Sequence, residues 1–209
     1  MPGDPTAETI KVVSTFTTPI TTAVFEGADA MNVVLKKIIL SQEAAQTGVS
    51  SSNVGGWHST RDLLGWAEPS VAVFRDRLIK VATACTNAAL EPSARRQSFD
   101  FSMEGWANVS RDGNYNAVHD HPSSHWSAVY YVAVGQADEN VSLNGALEFI
   151  DPRPAINTLQ INGATQQKRV TISPRPGVLV MFPSWLKHMV HPFRSSGERI
   201  SIASNIRVR

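Results

Sequence analysis

The chain of 209 residues has little cysteine, little excess charge and no long hydrophobic run. Its one cysteine, Cys85, excludes an intrachain disulfide, so we expect a reducing cytoplasm and a thiol on the buried face of a helix. The formal net charge is only +1 and the basic residues are scattered, which argues against a nucleic-acid-binding surface. The longest apolar runs, 33–40 and 177–182, fall far short of the roughly 20 residues that cross a bilayer. The polar start of the chain does not resemble a secretory signal.

Two helices are predicted in the first half of the chain. Residues 28–45 carry apolar side chains at helical spacing, namely Met31, Val34, Leu35, Ile38 and Ile39. The second helix opens near Pro69, because proline suits a first helical turn, and runs to about Leu90. We expect both helices to cover the outer face of a sheet.

After Arg96 the pattern changes from helical spacing to alternation, which predicts strands. The predicted strands cover residues 97–110, 125–134, 146–150, 170–172, 177–182 and 199–207. Many short strands separated by Gly, Pro, Asn and Asp favour an antiparallel sandwich or barrel. We therefore predict a single domain over 1–209, in which a helical N-terminal layer (1–96) packs on an all-β jelly-roll core (97–209).

Three histidines are candidate metal ligands. His119 and His121 occupy alternate positions of Val-His-Asp-His-Pro, so on a strand their imidazoles share one face. His188 follows a turn and a buried strand that would deliver it at the rim of the sheet. Imidazole suits iron, zinc, copper and nickel, so the histidines alone do not name the metal. For the pair alone, a polar strand face is the alternative interpretation.

Arg199 is a candidate anion-binding residue because it opens a strand whose remainder is apolar. A cation at the start of a buried strand needs an anionic partner, and the adjacent Glu198 faces the other way. A structural ion pair is the alternative. Ser201 lies two residues further on and shares the face of Arg199.

These residues follow the order found in the iron(II)- and 2-oxoglutarate-dependent oxygenases, which the chain resembles. In that superfamily His-x-Asp/Glu is followed by a distant His and then by Arg-x-Ser. More narrowly, the chain is similar to a small bacterial and phage group with a His-x-His-Pro motif. The matching stretches lie between about Trp106 and Asn205 and read Gly-Asn-Tyr-Asn-Ala-Val-His-Asp-His-Pro, Trp-Ser-Ala-Val-Tyr-Tyr-Val, Leu-Glu-Phe-Ile-Asp-Pro-Arg, Met-Phe-Pro-Ser-Trp-Leu-Lys-His and Glu-Arg-Ile-Ser-Ile-Ala-Ser-Asn.

The resemblance implies a cupin-like double-stranded β-helix and a dioxygenase activity. Such an enzyme uses Fe(II) and 2-oxoglutarate, hydroxylates a substrate and releases succinate and CO2, with ascorbate as a reductant. It implies that His119, His121 and His188 hold the metal. Arg199 would hold the distal carboxylate of 2-oxoglutarate, with Ser201 and Tyr131 as further partners and Tyr130 as the alternative to Tyr131. No residue is assigned as a catalytic acid or base.

One position departs from the superfamily pattern, because His121 stands where a carboxylate is usual. Asp120 could replace it if a bulge re-aims the strand, and Asp151 could approach from a neighbouring strand.

Around the ligands, Asn108 and Asn116 could face the open metal position or cap a turn. His125 is expected at the pocket or the surface, and His191 in the loop after the third ligand.

Two other functions stay open at this point: a three-histidine cupin dioxygenase without 2-oxoglutarate, which Arg199 disfavours, and a non-enzymatic jelly-roll ligand-binding module. The substrate is a small molecule or a peptide, no nucleic-acid or membrane partner is evident, and the oligomeric state is open.

The helices and the loops 51–61 and 135–144 are expected to shape the substrate pocket. Trp57 and His58 are candidate lid residues, and Trp106, Trp126 and Trp185 are candidates for shielding the site.

Overall fold

Two antiparallel β-sheets form the centre of the computed structural model, which describes residues 11, 15–136, 138, 140–153 and 169–209. The strands are β1 (Thr21–Val24), β2 (Asn53–Val54), β3 (Trp57–His58), β4 (Phe101–Ser110), β5 (Tyr115–His119), β6 (Trp126–Val134), β7 (Leu147–Ile150), β8 (Arg169–Ile172), β9 (Val178–Pro183), β10 (His188–Val190) and β11 (Arg199–Val208). The major sheet has the order β1-β9-β6-β11-β4-β3, and the minor sheet has the order β2-β5-β10-β7-β8.

Alternation along β11 gives the major sheet two different faces. Ile200 and Ile202 point to the outer face and are fully buried there, whereas Arg199 and Ser201 point to the inner face. β11 pairs with β4 over its whole length and with β6 on its other side, so both neighbours continue this division. The outer face is therefore an apolar surface that needs a cover, and the inner face can carry polar groups.

Two helices cover the outer face, as predicted. They are α1 (Asp29–Ala45) and α2 (Pro69–Ala88), and α2 has proline in its first turn. Leu35 and Ile39 of α1 and Phe74 and Leu78 of α2 are fully buried against the major sheet. Cys85 is buried on α2 as a free thiol, in agreement with the sequence.

A second apolar cluster lies between the two sheets. It joins Tyr131 and Val180 of the major sheet to Leu147, Phe149 and Val190 of the minor sheet. Two facing antiparallel sheets with helices on one outer face confirm the predicted jelly roll, a double-stranded β-helix. The cavity described below opens between these sheets.

Some element boundaries differ from the prediction. The first strand of the core begins at Phe101 and not at residue 97, and β1, β2, β3, β5 and β10 have no counterpart among the predicted strand ranges. The N-terminal layer is therefore not purely helical, since β1 pairs with β9 and β3 pairs with β4. Strands of two to four residues show too little alternation to be recognised. Neither described helix has the length and apolar character that crossing a membrane requires.

Candidate metal centre

The structure brings the three predicted histidines together. One possible ligand atom on each of His119, His121 and His188 lies within 4.8 Å of the others. His119 and His188 are cross-strand partners on β5 and β10, with ring centroids 4.3 Å apart. The ring of His121 lies 5.0 Å from that of His119 and 5.4 Å from that of His188. No other His, Cys, Asp or Glu of the described residues joins this group.

The alternation predicted that His119 and His121 lie on one strand. In the structure they do not. His119 is the last residue of β5, and His121 belongs to the turn that follows. Backbone bonds fix this turn, because the amide of His121 donates to the carbonyl of Ser184 at 2.8 Å. His188 follows Ser184 closely, so the same contact holds both ligand segments side by side.

The protein itself orients two of the imidazoles. Nδ1 of His119 lies 2.7 Å from the carbonyl oxygen of Ala117, and Nδ1 of His188 lies 2.8 Å from that of Leu186. A carbonyl oxygen only accepts, so each Nδ1 carries the proton and each Nε2 presents its lone pair. This arrangement is typical of histidines that bind a metal through Nε2.

All three imidazoles are held neutral. Burial, followed by the neighbouring His119, lowers the pKa of His188 to about 3. Burial and then His119 also lower the pKa of His121 to about 4, and burial lowers the pKa of His119. Since only a neutral imidazole binds a metal, protons do not compete for this site at neutral pH.

The histidines line a cavity of about 440 Å³ between the sheets, and Arg199 lies on its wall. Arg199 is only 1 % exposed, and among the described residues its Nε and Nη2 have no hydrogen-bond partner. Its Nη1 donates to Oγ of Ser201 at 3.3 Å, and the guanidinium carbon lies 5.2 Å from the ring centroid of Tyr131. The alternative interpretation, a structural ion pair of Arg199, is not found among the described residues, and the adjacent Glu198 pairs with Lys36 at 3.3 Å.

Tyr131, and not Tyr130, faces the cavity side of the sheet. Its hydroxyl is buried without a partner among the described residues, whereas the hydroxyl of Tyr130 donates to Asn32 at 2.7 Å on the helix side. Burial raises the pKa of Tyr131, so its hydroxyl keeps a proton to donate. A buried guanidinium and a buried hydroxyl without partners form a place for an anionic group.

The remaining cavity wall is polar and comes partly from the first half of the chain. His58, Asn108 and Asn116 line it, with the hydroxyl of Ser52 beside them. His58 is 3 % exposed and stacks on Trp106 with ring centroids 5.4 Å apart, so it is a buried wall residue and not part of a lid. Sequence reasoning did not identify Ser52, because a serine in a polar loop carries no distinguishing pattern.

Other candidate residues lie away from the cluster. Asp151 bonds Arg153 at 2.5 Å, so it is not a metal ligand, and Asp120 lines the cavity without joining the histidines. His125 is exposed, and His191 bonds Glu148 at 2.6 Å. Of the three tryptophans, only Trp106 lines the cavity, and neither helix nor the described part of loop 135–144 does so.

Residues 104–205 match the family model described as "Putative 2OG-Fe(II) oxygenase". This stretch, just under half of the chain, is similar to the 2OG-Fe(II) oxygenases. The stretch contains all six predicted site residues. A comparison with curated protein sequences finds no match.

Solved structures resemble the chain over most of its length. A prolyl-4-hydroxylase from Pseudomonas putida is 17 % identical, with 92 % of this chain and 94 % of that chain covered and a TM-score of 0.61. HygX from Streptomyces hygroscopicus, solved with nickel and 2-oxoglutarate, is 12 % identical, with 91 % and 83 % covered and a TM-score of 0.60. SnoN, an α-ketoglutarate-dependent epimerase from nogalamycin biosynthesis, is 11 % identical, with 90 % and 76 % covered and a TM-score of 0.62. At these identities the likeness shows the shared double-stranded β-helix fold.

Proposed function

We propose that the oxygenase binds Fe(II) through His119, His121 and His188 and holds 2-oxoglutarate with Arg199, Ser201 and Tyr131. It would hydroxylate its substrate and release succinate and CO2, with ascorbate keeping the iron reduced. One observation carries the assignment: three neutral imidazoles and a buried guanidinium, which has no anionic partner in the described part of the chain, line the same cavity. A dicarboxylate that reaches from the metal to Arg199 satisfies both groups.

The residues present fit both groups. Two histidines carry their proton on Nδ1, so Nε2 can bind a metal without a change of tautomer. Three neutral ligands leave a divalent ion its full charge, which favours the doubly negative co-substrate. Arginine offers a planar fork that binds a carboxylate through two hydrogen bonds, and Tyr131 and Ser201 can add hydroxyl donors.

The protein's part is to hold these groups and to exclude water. Iron(II) with 2-oxoglutarate supplies the oxidising chemistry, as cofactors do in such enzymes. Arg199 lies at the closed end of the cavity under Gly145, whose backbone has a φ of +60°. A β-carbon on Gly145 would lie 3.1 Å from Cδ of Arg199, so only glycine allows the chain to cover the side chain this closely.

Succinate formation under iron(II), ascorbate and oxygen tests this function. We expect wild-type protein to convert 2-oxoglutarate slowly to succinate even without its substrate. His188→Ala should lose stoichiometric iron(II) and succinate formation together, whereas His125→Ala, which changes an exposed histidine, should keep both. Full iron binding in a folded His188→Ala variant would remove His188 from the ligand set.

The alternative dioxygenase that uses three histidines without 2-oxoglutarate makes a different prediction. Such an enzyme needs no buried arginine beside the metal, and Arg199 is the feature that disfavours it. Iron binding with no measurable affinity for 2-oxoglutarate would favour that alternative. A protein that binds neither would be a ligand-binding module.

We also propose that the substrate is a small molecule or a peptide and that the enzyme acts in the cytoplasm. The free, buried thiol of Cys85 supports a reducing compartment. The names of the similar structures include a prolyl hydroxylase and an epimerase, so they favour no one substrate. A screen for compounds that accelerate succinate formation would identify the substrate class.

A further inference from the structure

Ser52 is fixed beside the strand that ends in His119. Its carbonyl accepts a hydrogen bond from the amide of Ala117 at 2.8 Å, and the next residue, Asn53, pairs with Asn116 on β5. Ser52 lies far outside residues 104–205, which match the oxygenase family model. The backbone position of this serine is thus set by strand pairing and does not depend on its hydroxyl.

The hydroxyl of Ser52 points at the metal-binding nitrogen of His119. Its Oγ lies 3.4 Å from Nε2 of His119 and accepts a hydrogen bond from Nδ2 of Asn116, also at 3.4 Å. Because Nδ1 of His119 carries the ring proton, Nε2 can only accept. The hydroxyl proton of Ser52 is therefore directed towards the lone pair that a metal would take.

Metal binding to His119 removes the acceptor of Ser52. The half-buried hydroxyl would then need another acceptor, which water or a ligand of the ion could supply. A metal–imidazole bond is about 2.1 Å long, so Oγ lies no more than about 5.5 Å from the ion. A small ligand bound to the ion on this side lies within hydrogen-bonding reach.

The co-substrate is not the partner that the geometry favours. Its distal carboxylate is drawn towards Arg199, which is 1 % exposed at the closed end of the cavity. The segment of Ser51 and Ser52 lies at the open end, where Ser51 is exposed to solvent. A coordination position on this side of a bound ion would face the opening and would lie beside Ser52.

We propose that Ser52 is a positioning residue that donates a hydrogen bond to the small exogenous ligand at the exchangeable position of the metal. Asn116 orients it by occupying an acceptor site on the hydroxyl oxygen. This inference rests on the proposed function, since it requires iron(II) at the three histidines. It extends the active site to a residue outside the matched stretch.

Nitric oxide binding to the anaerobic complex of the enzyme with iron(II) and 2-oxoglutarate tests the proposal. Ser52→Ala and Ser52→Val should bind nitric oxide about 2- to 12-fold more weakly, because each variant loses one neutral hydrogen bond to the ligand. Ser52→Thr keeps a hydroxyl and should restore the affinity. The N–O stretching frequency of the nitrosyl should shift in the alanine and valine variants and stay near wild type in the threonine variant.

The matched control is Ser51→Ala, which makes the same change one residue away and should leave nitric oxide binding unchanged. In all four variants the affinities for iron(II) and 2-oxoglutarate should stay within about twofold of wild type. Unchanged nitric oxide affinity in both Ser52→Ala and Ser52→Val would overturn the proposal. A loss confined to 2-oxoglutarate affinity would also overturn it and assign the hydroxyl to the co-substrate. Failure of the wild-type protein to bind iron(II) would instead contradict the proposed function.

Discussion

Arg199 is a buried cation without an anionic partner among the described residues. Burial lowers its pKa, its Nη1 donates to Ser201, and the ring of Tyr131 lies beside the guanidinium. Such a group destabilises a folded protein unless a ligand supplies the missing charge. The residue therefore lowers the stability of the free protein, and in the proposed function co-substrate binding offsets this cost.

Replacing Arg199 separates these two effects. Arg199→Ala should weaken 2-oxoglutarate binding roughly tenfold to over a hundredfold, since a charge-assisted contact contributes about 1.5–3 kcal/mol. Calorimetric titration of 2-oxoglutarate into the anaerobic iron(II) protein measures this, and iron(II) affinity should not change. Arg199→Met, which fills the space without a charge, should raise the melting temperature of the ligand-free protein.

The control for both variants is Arg207→Ala, which removes an exposed arginine from the same strand. It should change neither 2-oxoglutarate affinity nor stability. Equal 2-oxoglutarate affinity in Arg199→Ala and wild type would contradict the assignment of Arg199.

The three clustered histidines make the stability of the metal-free protein depend on pH. In the folded state the pKa values of His121 and His188 are about 4 and 3, and an unfolded imidazole has a pKa near 6.5. Below pH 6.5 the unfolded chain therefore binds more protons, so the free energy of unfolding falls as the pH falls. The stability is fully present above pH 6.5 and is lost progressively towards pH 4.

Urea unfolding at pH 7.5 and at pH 5 checks this dependence. We expect the free energy of unfolding to fall by about 1–4 kcal/mol between them, a range that allows for partial solvent contact of the rings. His188→Gln should lose a large part of this difference, and His125→Gln should retain it. A wild-type protein equally stable at both pH values would show that the imidazoles are not held neutral.

Several site residues could be predicted from the sequence because their side chains are chemically distinctive. Three histidines and one arginine in a known order pointed to the cavity, and the structure brings them to its wall. Asp151 was rejected only by the structure, because its contact with Arg153 depends on the local loop. Asn116 was a candidate from its place before the histidines, and it lines the cavity. Ser52 was harder to find, since its role depends on which strands pair.

At the scale of elements, the long helices were predictable and the shortest strands were not. α1 and α2 carry enough apolar residues at helical spacing to be read directly, whereas β2 and β3 contain two residues each. These two strands pair with β5 and β4 respectively, so a short segment of the first half reaches both sheets. Only long-range pairing defines such strands.

Helix α2 should contribute stability without taking part in the chemistry. Phe74 is fully buried and packs on Tyr130 with ring centroids 5.1 Å apart, so Phe74→Ala should cost about 3–5 kcal/mol of unfolding free energy. Val73, the preceding residue, is 45 % exposed, and Val73→Ala should change stability by no more than about 0.5 kcal/mol. Urea unfolding measures both.

Iron(II) stoichiometry of folded Phe74→Ala, measured at low temperature, should equal that of wild type. Loss of iron at a temperature where the variant is folded would show that the helix controls the metal site directly.

At the scale of the whole molecule, the two apolar clusters draw their residues from different parts of the chain. The cluster between the sheets belongs mainly to residues after 96, whereas the outer cluster joins both helices to the major sheet. The predicted jelly-roll segment, 97–209, would therefore expose Tyr130, Ile200 and Ile202 if it were made alone. We propose that the N-terminal layer and the core form one folding unit.

Expression of residues 97–209 alone tests this unit. We expect the fragment to aggregate or to remain expanded, with strong binding of a hydrophobic dye and no cooperative thermal transition. The full chain under the same conditions is the control. A soluble fragment that melts cooperatively and binds iron(II) would show that the core folds independently.

The carbonyl oxygens of Ala117 and Leu186 hold two imidazoles in place before any ion arrives. A chelate that is already assembled takes whichever divalent ion reaches it, and nitrogen ligands bind nickel, copper and zinc more tightly than ferrous iron. Mismetallation during overexpression is the consequence, so enzyme purified aerobically should contain a competing ion and be inactive. Activity should return after chelator treatment and reconstitution under anaerobic conditions.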